Sequence, residues 1–117
     1  MAGYVIANYR VTDPEGMKKY LEVVRATLSA HGAEVLAADY NSLSIEGDAP
    51  PTTIVLRFAS VEAARGWYDS PEYQAIKDLR IDNSGEGRLV IAESFAPRAE
   101  GSYGTSTVSR ATRSRSG

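Results

Sequence analysis

The first stretch of the chain alternates. In Tyr4-Val5-Ile6-Ala7-Asn8-Tyr9-Arg10-Val11, the residues Val5, Ala7, Tyr9 and Val11 fall on one side and Tyr4, Ile6, Asn8 and Arg10 on the other, which is the period-two pattern of a strand. Thr12-Asp13-Pro14-Glu15 then switches the period. Asp13 can cap, Pro14 suits the first helical position, and Glu15 meets the positive end of the helix dipole. Met17, Leu21, Val24, Leu28 and His31 follow at steps of four, three, four and three, one face of a helix that Gly32 can end in the left-handed conformation. Ala33 to Ala38 reads as a second strand, with Leu43-Ser44-Ile45-Glu46-Gly47 as its continuation or a short paired segment. Pro50-Pro51 breaks the pattern, and Thr52 to Ala59 resumes it, with Ile54, Leu56 and Phe58 alternating against Thr53, Val55 and Arg57. Ser60 caps a second helix through Ala64, Trp67 and Tyr68. A new cap and proline at Ser70-Pro71 restart that helix, and Tyr73, Ile76 and Arg80 carry it on. Asn83 to Gly87 reads as a turn and Arg88 to Phe95 as the last strand.

The order strand, helix, strand, strand, helix, strand is reinforced by an internal echo. Arg10 to Glu15 and Arg57 to Glu62 place an arginine, an apolar residue, a cap and an acid at matching offsets. Two such halves sharing one sheet form an α+β, ferredoxin-like βαββαβ arrangement, with an antiparallel sheet and both helices on one face. The other face, bearing Tyr4, Ile6 and Val55, is then bare and apolar, and a second copy of the chain or a ligand is expected to cover it. Beyond Pro97 almost nothing apolar remains, so residues 1–97 are expected to form the domain and 98–117 a disordered tail of Ser, Thr, Gly and Arg.

Composition narrows the function classes. Across 117 residues there is no cysteine, which excludes disulfides, thiolate metal sites and a cysteine nucleophile and makes a reducing cytoplasm the expected location. The N-terminal stretch has neither a signal-peptide pattern nor an apolar run long enough to span a membrane. From Arg98 onward four arginines stand against Glu100, a net +3, which leaves −5 on the remainder of a chain whose total is −2. An acidic domain argues against nucleic acid as a partner.

Several fragments together resemble the DUF1330 family, small bacterial proteins of unknown function in the dimeric α/β-barrel superfamily. They are Tyr4-Val5-Ile6 with Thr12-Asp13-Pro14, His31-Gly32, Ile45-Glu46-Gly47, Phe58-Ala59-Ser60 with Ala63-Ala64, Trp67 to Tyr73, and Leu79-Arg80. The likeness spans about residues 3–96 and leaves out the tail. It implies a ferredoxin-like subunit whose sheet packs on a partner's sheet to make a barrel-like homodimer, and it implies no reaction.

His31 is the lone histidine and the natural acid or base near neutral pH, although a histidine at a helix end also serves as a dipole partner. One histidine cannot supply the usual zinc ligand set, a haem on it is disfavoured, and no cofactor or metal is expected. Glu46, at a strand end beside Gly47, would orient or share the proton of His31 if the two converge. Tyr68, Ser70 and Tyr73 cluster at the helix break; Ser70 is first of all a cap, and the two phenols can present hydroxyls to a pocket. Arg80 can grip a carboxylate, while Tyr4 and Asn8 would line a cleft beneath the partner. Gly85-Glu86-Gly87 leads into a strand rather than a helix, so it is no phosphate cradle. The expectation is a homodimer binding a small molecule. Catalysis without a cofactor, as isomerase, lyase or oxygenase on a small organic acid or cyclic carbonyl compound, is one form of it, and a non-catalytic binding or accessory dimer is the other.

Overall fold

A computed structural model describes residues 1–95; the expected tail at 98–117 and the expected boundary at 97 lie outside the described residues. The elements in chain order are β1 (Gly3–Val11), α1 (Pro14–Ala30), β2 (Glu34–Asp39), β3 (Thr52–Phe58), α2 (Val61–Asp69), α3 (Pro71–Gln74), α4 (Lys77–Asp82) and β4 (Ser84–Glu93). The strands form one antiparallel sheet in the order β2-β3-β1-β4, as the ferredoxin-like reading requires.

Local chemistry sets the boundaries. The Asp13 carboxylate accepts from the Gly16 amide at 3.3 Å ahead of Pro14, and Gly32 leaves α1 at φ +70. Ser60 Oγ accepts from the Ala63 amide at 2.9 Å and Ser70 Oγ from the Tyr73 amide at 3.2 Å. The second helix breaks at Ser70, which is extended before a proline that can neither donate nor follow an α conformation, and again at Ala75–Ile76, so it runs in three pieces. Leu43 to Gly47 is not a strand. The chain leaves the sheet at Asp39, whose carboxylate accepts from the Asn41 amide at 2.8 Å, and Leu43 and Ile45 stand 83% and 79% exposed. The expected turn at Asn83 to Gly87 is largely strand, since Ser84 and Gly85 already pair with Val11 and Arg10.

Val5, Ala7 and Tyr9 of β1, with Leu56 and Phe58 of β3, turn inward against Met17, Tyr20, Leu28, Ala64, Trp67 and Tyr73. Tyr20 rather than Leu21 is the inward residue of α1, so its buried face is rotated from the one the spacing suggests. On the outer face the register lines up Ala37, Val55, Ile6 and Val90 in one row across all four strands. No helix among the described residues is long and apolar enough to cross a membrane.

At Gly3 the start of β1 passes so close to the α2 cap that a Cβ would stand 2.5 Å from the Ser60 carbonyl oxygen and 2.6 Å from the Val61 nitrogen. Gly3→Ala is therefore expected to destabilise the fold by about 1–3 kcal/mol, read as a lowered urea midpoint at unchanged slope.

Candidate functional site

α1 leans on α4 and α3 and approaches the strands little. It is held off the sheet by two buried polar contacts between rigid side chains. Tyr20 Oη lies 3.0 Å from Tyr73 Oη with the rings edge to face, and Trp67 Nε1 donates to Thr27 Oγ1 at 3.0 Å. The gap left beneath α1 is a half-open cavity of about 420 Å³ between the helix and the inner sheet face. Its size lies within the range of small-molecule sites.

The cavity has two unlike ends. Toward the start of β1 its walls are apolar, with Val5, Leu28, Val35, Leu56 and Trp67. Toward the end of β1 they are polar, with Tyr9, Tyr20, Tyr40 and Arg80, and Arg25 projects from the exposed side of α1 at the rim. Arg80 is 8% exposed, and its Nε donates to Tyr73 Oη at 3.1 Å. Among the described residues no carboxylate lies within ion-pair distance of it, and no protein acceptor meets its terminal nitrogens. A guanidinium carries five N–H donors, so one bond to Tyr73 leaves most of its capacity open, and Arg80 borders both this cavity and a more polar hollow lined by Tyr68, Glu86 and Arg88. Burial opposes its charge, but the Tyr73 and Tyr20 phenol oxygens hold its pKa above the ordinary arginine value.

Tyr9 faces inward by the alternation of β1, and the strand beside it is bulged. Asn8 pairs with Arg88 and Arg10 with Gly85, so Tyr9 alone faces Glu86 and Gly87. Glu86 takes φ 55, and its carboxylate is turned outward to Arg10 Nε at 2.8 Å. The Gly-Glu-Gly segment thus shapes the strand behind Tyr9 rather than a loop. Burial, reinforced by Tyr40 and opposed by Arg80, pushes the Tyr9 phenol up to about 12. Burial and then Tyr73 push Tyr20 higher still. Both phenols are neutral hydrogen-bond donors at physiological pH.

The expected site residues are only partly brought together. Arg80 and Tyr73 meet as described, while Tyr68 backs Tyr73 with ring centroids 5.5 Å apart under the cations of Arg65 and Lys77. Ser70 is fully used as a cap, donating to the Trp67 carbonyl at 2.7 Å. His31 and Glu46 do not converge. His31 closes α1 ahead of β2, with Nε2 3.9 Å from Glu72, whereas Glu46 is exposed in the connection after β2, so the six residues of β2, roughly 20 Å of strand, stand between them. Neither lines the cavity. Tyr4 and Asn8 lie on the outer sheet face, where Asn8 Nδ2 donates to Thr53 Oγ1 at 2.9 Å. Tyr9, Tyr20, Tyr40 and Arg25 were not anticipated as site residues. The available signal was Tyr9 on an inward position of β1; the spacing along α1 pointed to Leu21 rather than Tyr20, and Tyr40 and Arg25 carried none.

The family profile described as "Domain of unknown function (DUF1330)" matches residues 2–95, and the chain belongs to that family. Among solved structures it is similar to a protein of unknown function from Rhodopseudomonas palustris, with a TM-score of 0.68 and 15% identity over 82% of this chain and 84% of that one. A dabb family protein with a ferredoxin-like fold from Mesorhizobium loti gives 0.60 and 16% over 81% and 98%. A protein from Bacteroides fragilis, described as dimeric, of unknown function and of ferredoxin-like fold, gives 0.56 and 12% over 80% and 96%. Among curated proteins none matches the chain in sequence. At these identities the likeness establishes the fold.

Two outcomes test this geometry. Tyr73→Phe leaves the Arg80 Nε–H and the Tyr20 hydroxyl without their buried partner and is expected to cost about 1–3 kcal/mol in chemical denaturation. The folded protein keeps Tyr9 protonated to about 12, whereas an unfolded tyrosine ionises near 10, so the unfolded state holds fewer protons between those values. The contribution of Tyr9 to stability is complete below about pH 10 and falls as pH rises toward 12. Comparing urea midpoints of wild type and Tyr9→Phe across that window isolates it, and parallel curves would contradict the burial of the phenol.

Proposed function

We propose that this member of the DUF1330 family is a homodimeric protein that binds a compact organic molecule in the cavity between its sheet and α1. The observation that carries the reading is Arg80, a buried guanidinium with one phenol partner at the edge of a ligand-sized apolar space. A buried charge without a counter-charge is a poor stability device. Its presence at a cavity wall is accounted for by a molecule that completes its hydrogen bonds.

Binding is favoured over catalysis by the same lining. The cavity wall holds arginines and protonated phenols, with no carboxylate or histidine among its described residues, so nothing there accepts a proton near neutral pH. His31 and Glu46, offered as an acid/base couple, lie elsewhere. The catalytic form of the proposal rests on the phenols and Arg80 as donors that stabilise negative charge developing on a bound carbonyl.

For the dimer, the support is the outer row Ala37, Val55, Ile6, Val90. It is flanked by polar or charged residues at Asn8, Thr53 and Arg88 on one side and by Arg57 with Glu34 on the other. Val90 in that row is half exposed. An apolar band with a polar rim on a bare sheet face suits an isologous contact with a second copy.

Sedimentation velocity is expected to give a dimer for wild type and a folded monomer for Val55→Asp; a monomeric wild type ends the dimer reading. In a thermal-shift screen of small organic compounds, stabilising hits are expected to vanish in Val24→Trp, which fills the cavity, and to survive His31→Ala and Glu46→Gln. Hits indifferent to Val24→Trp would show that the cavity is not the site.

A further inference from the structure

The two ends of the cavity say more than that it binds something. Its polar end gathers groups from separate elements: Tyr9 at the end of β1, Tyr20 in the first half of α1, Tyr40 just after β2, and Arg80 in the last turn of α4. The phenol of Tyr9 feels both Tyr40 and Arg80 electrostatically, so these groups share one locality. All of them can donate hydrogen bonds, only one is charged, and no acid shares the wall among the described residues. The opposite end is apolar, with Leu28 and Trp67, and the Trp67 N–H is already committed to Thr27.

Resting on the reading of this cavity as a ligand site, we infer that its ligand is a compact organic monocarboxylate bound head first. The carboxylate lies on the Arg80 fork among the Tyr9, Tyr20 and Tyr40 hydroxyls, and the apolar body lies toward Leu28 and Trp67. The donor set decides the head group. A planar carboxylate takes two parallel bonds from one guanidinium and further bonds from neutral phenols, which matches one buried positive charge with one negative. A phosphate dianion would enter with a second charge for which there is no second buried cation, since Arg25 is exposed at the rim. An alcohol or ester could accept a bond from the guanidinium but would bring no counter-charge to it. Arg25 serves at the mouth as a long-range attraction for the incoming anion, in a domain whose net charge of −5 otherwise repels it.

A ligand-directed Arg80 is told from a structural one by the sign of its effect on the free protein. Arg80→Met replaces an uncompensated buried charge with an apolar chain of similar length. It is expected to raise the melting temperature of the ligand-free protein or leave it unchanged while weakening carboxylate binding by roughly 30-fold or more. Calorimetry with hydrocinnamate and octanoate, against hydrocinnamyl alcohol, octanol and phenyl phosphate, reads the head group directly. Binding of the carboxylates alone, lost in Arg80→Met and weakened in Arg80→Lys, supports the inference. Should Arg80→Met not fold, that result speaks for a structural arginine, and normal carboxylate binding by Arg80→Lys would then overturn the bidentate head site. Equal binding of alcohols and carboxylates, abolished by Val24→Trp but not by Arg80→Met, overturns the carboxylate while leaving the cavity as the site. If no probe of any head group binds while the broader screen yields hits sensitive to Val24→Trp, the monocarboxylate class alone is overturned; with no such hits, the cavity reading falls as well.

Discussion

Two buried hydrogen bonds between large rigid side chains decide how far α1 stands from the sheet. The Tyr20–Tyr73 hydroxyl pair and the Trp67–Thr27 bond act as spacers of fixed length, because each joins polar tips that must not be buried unpaired. If α1 settled onto β2 and β3 it would bury more apolar surface. It would also strand the Trp67 N–H and the Tyr20 hydroxyl, at about 1–3 kcal/mol each. The half-exposed Val35 of β2, which lines the cavity, shows the result, a sheet edge that the helix does not cover. The cavity is thus a consequence of polar satisfaction elsewhere in the core.

The fold was legible in the chain because its signals are local and redundant. Alternation along β1 and β3, caps at Asp13, Ser60 and Ser70, and a glycine after His31 each point to the same boundaries. Where the reading failed, a single signal had no second one beside it. Leu43 to Gly47 has strand-like composition but no partner strand to pair with, and the glycines around Glu86 mark a bulge as readily as a turn. The site was less legible for a different reason. Arg80 and Tyr73 stand seven residues apart and could be joined by helical spacing, but Tyr9, Tyr20 and Tyr40 reach them only through the tertiary fold. His31 attracted attention by its chemistry alone, and its surroundings, a helix end beside Glu72, give it a different neighbourhood.

Charge is distributed against the average of the domain. The described lining of the cavity carries Arg25 and Arg80 and no acid, although the chain up to residue 97 is net acidic. Low-dielectric walls strengthen the field of a buried cation, so Arg80 acts on an anion inside the cavity more strongly than an exposed arginine would. The same desolvation opposes the charge of Arg80, and in the proposed complex a complementary charge would offset that opposition more fully than the Tyr73 phenol does alone.

The alternation of β1 assigns its two faces to two partners. Val5, Ala7 and Tyr9 face the cavity, while Tyr4, Ile6 and Asn8 face away from it, so in the proposed dimer the ligand and the second copy would never touch the same side chain of this strand. The lining described for the cavity takes residues from β1, α1, β2, β3, α2, α4 and β4 of one subunit. In the proposed dimer a second copy on the outer face would act on it through the backbone the two faces share. The β4 bulge opposite Tyr9 carries the Arg10–Glu86 ion pair on its outer, solvent side. A contact that fixes the outer row at Ile6 and Val90 would also fix the register from which that bulge departs. In the proposed dimer, a link between assembly and ligand binding would run along two residues of β1, from Asn8 bonded to Thr53 to Tyr9 at the cavity.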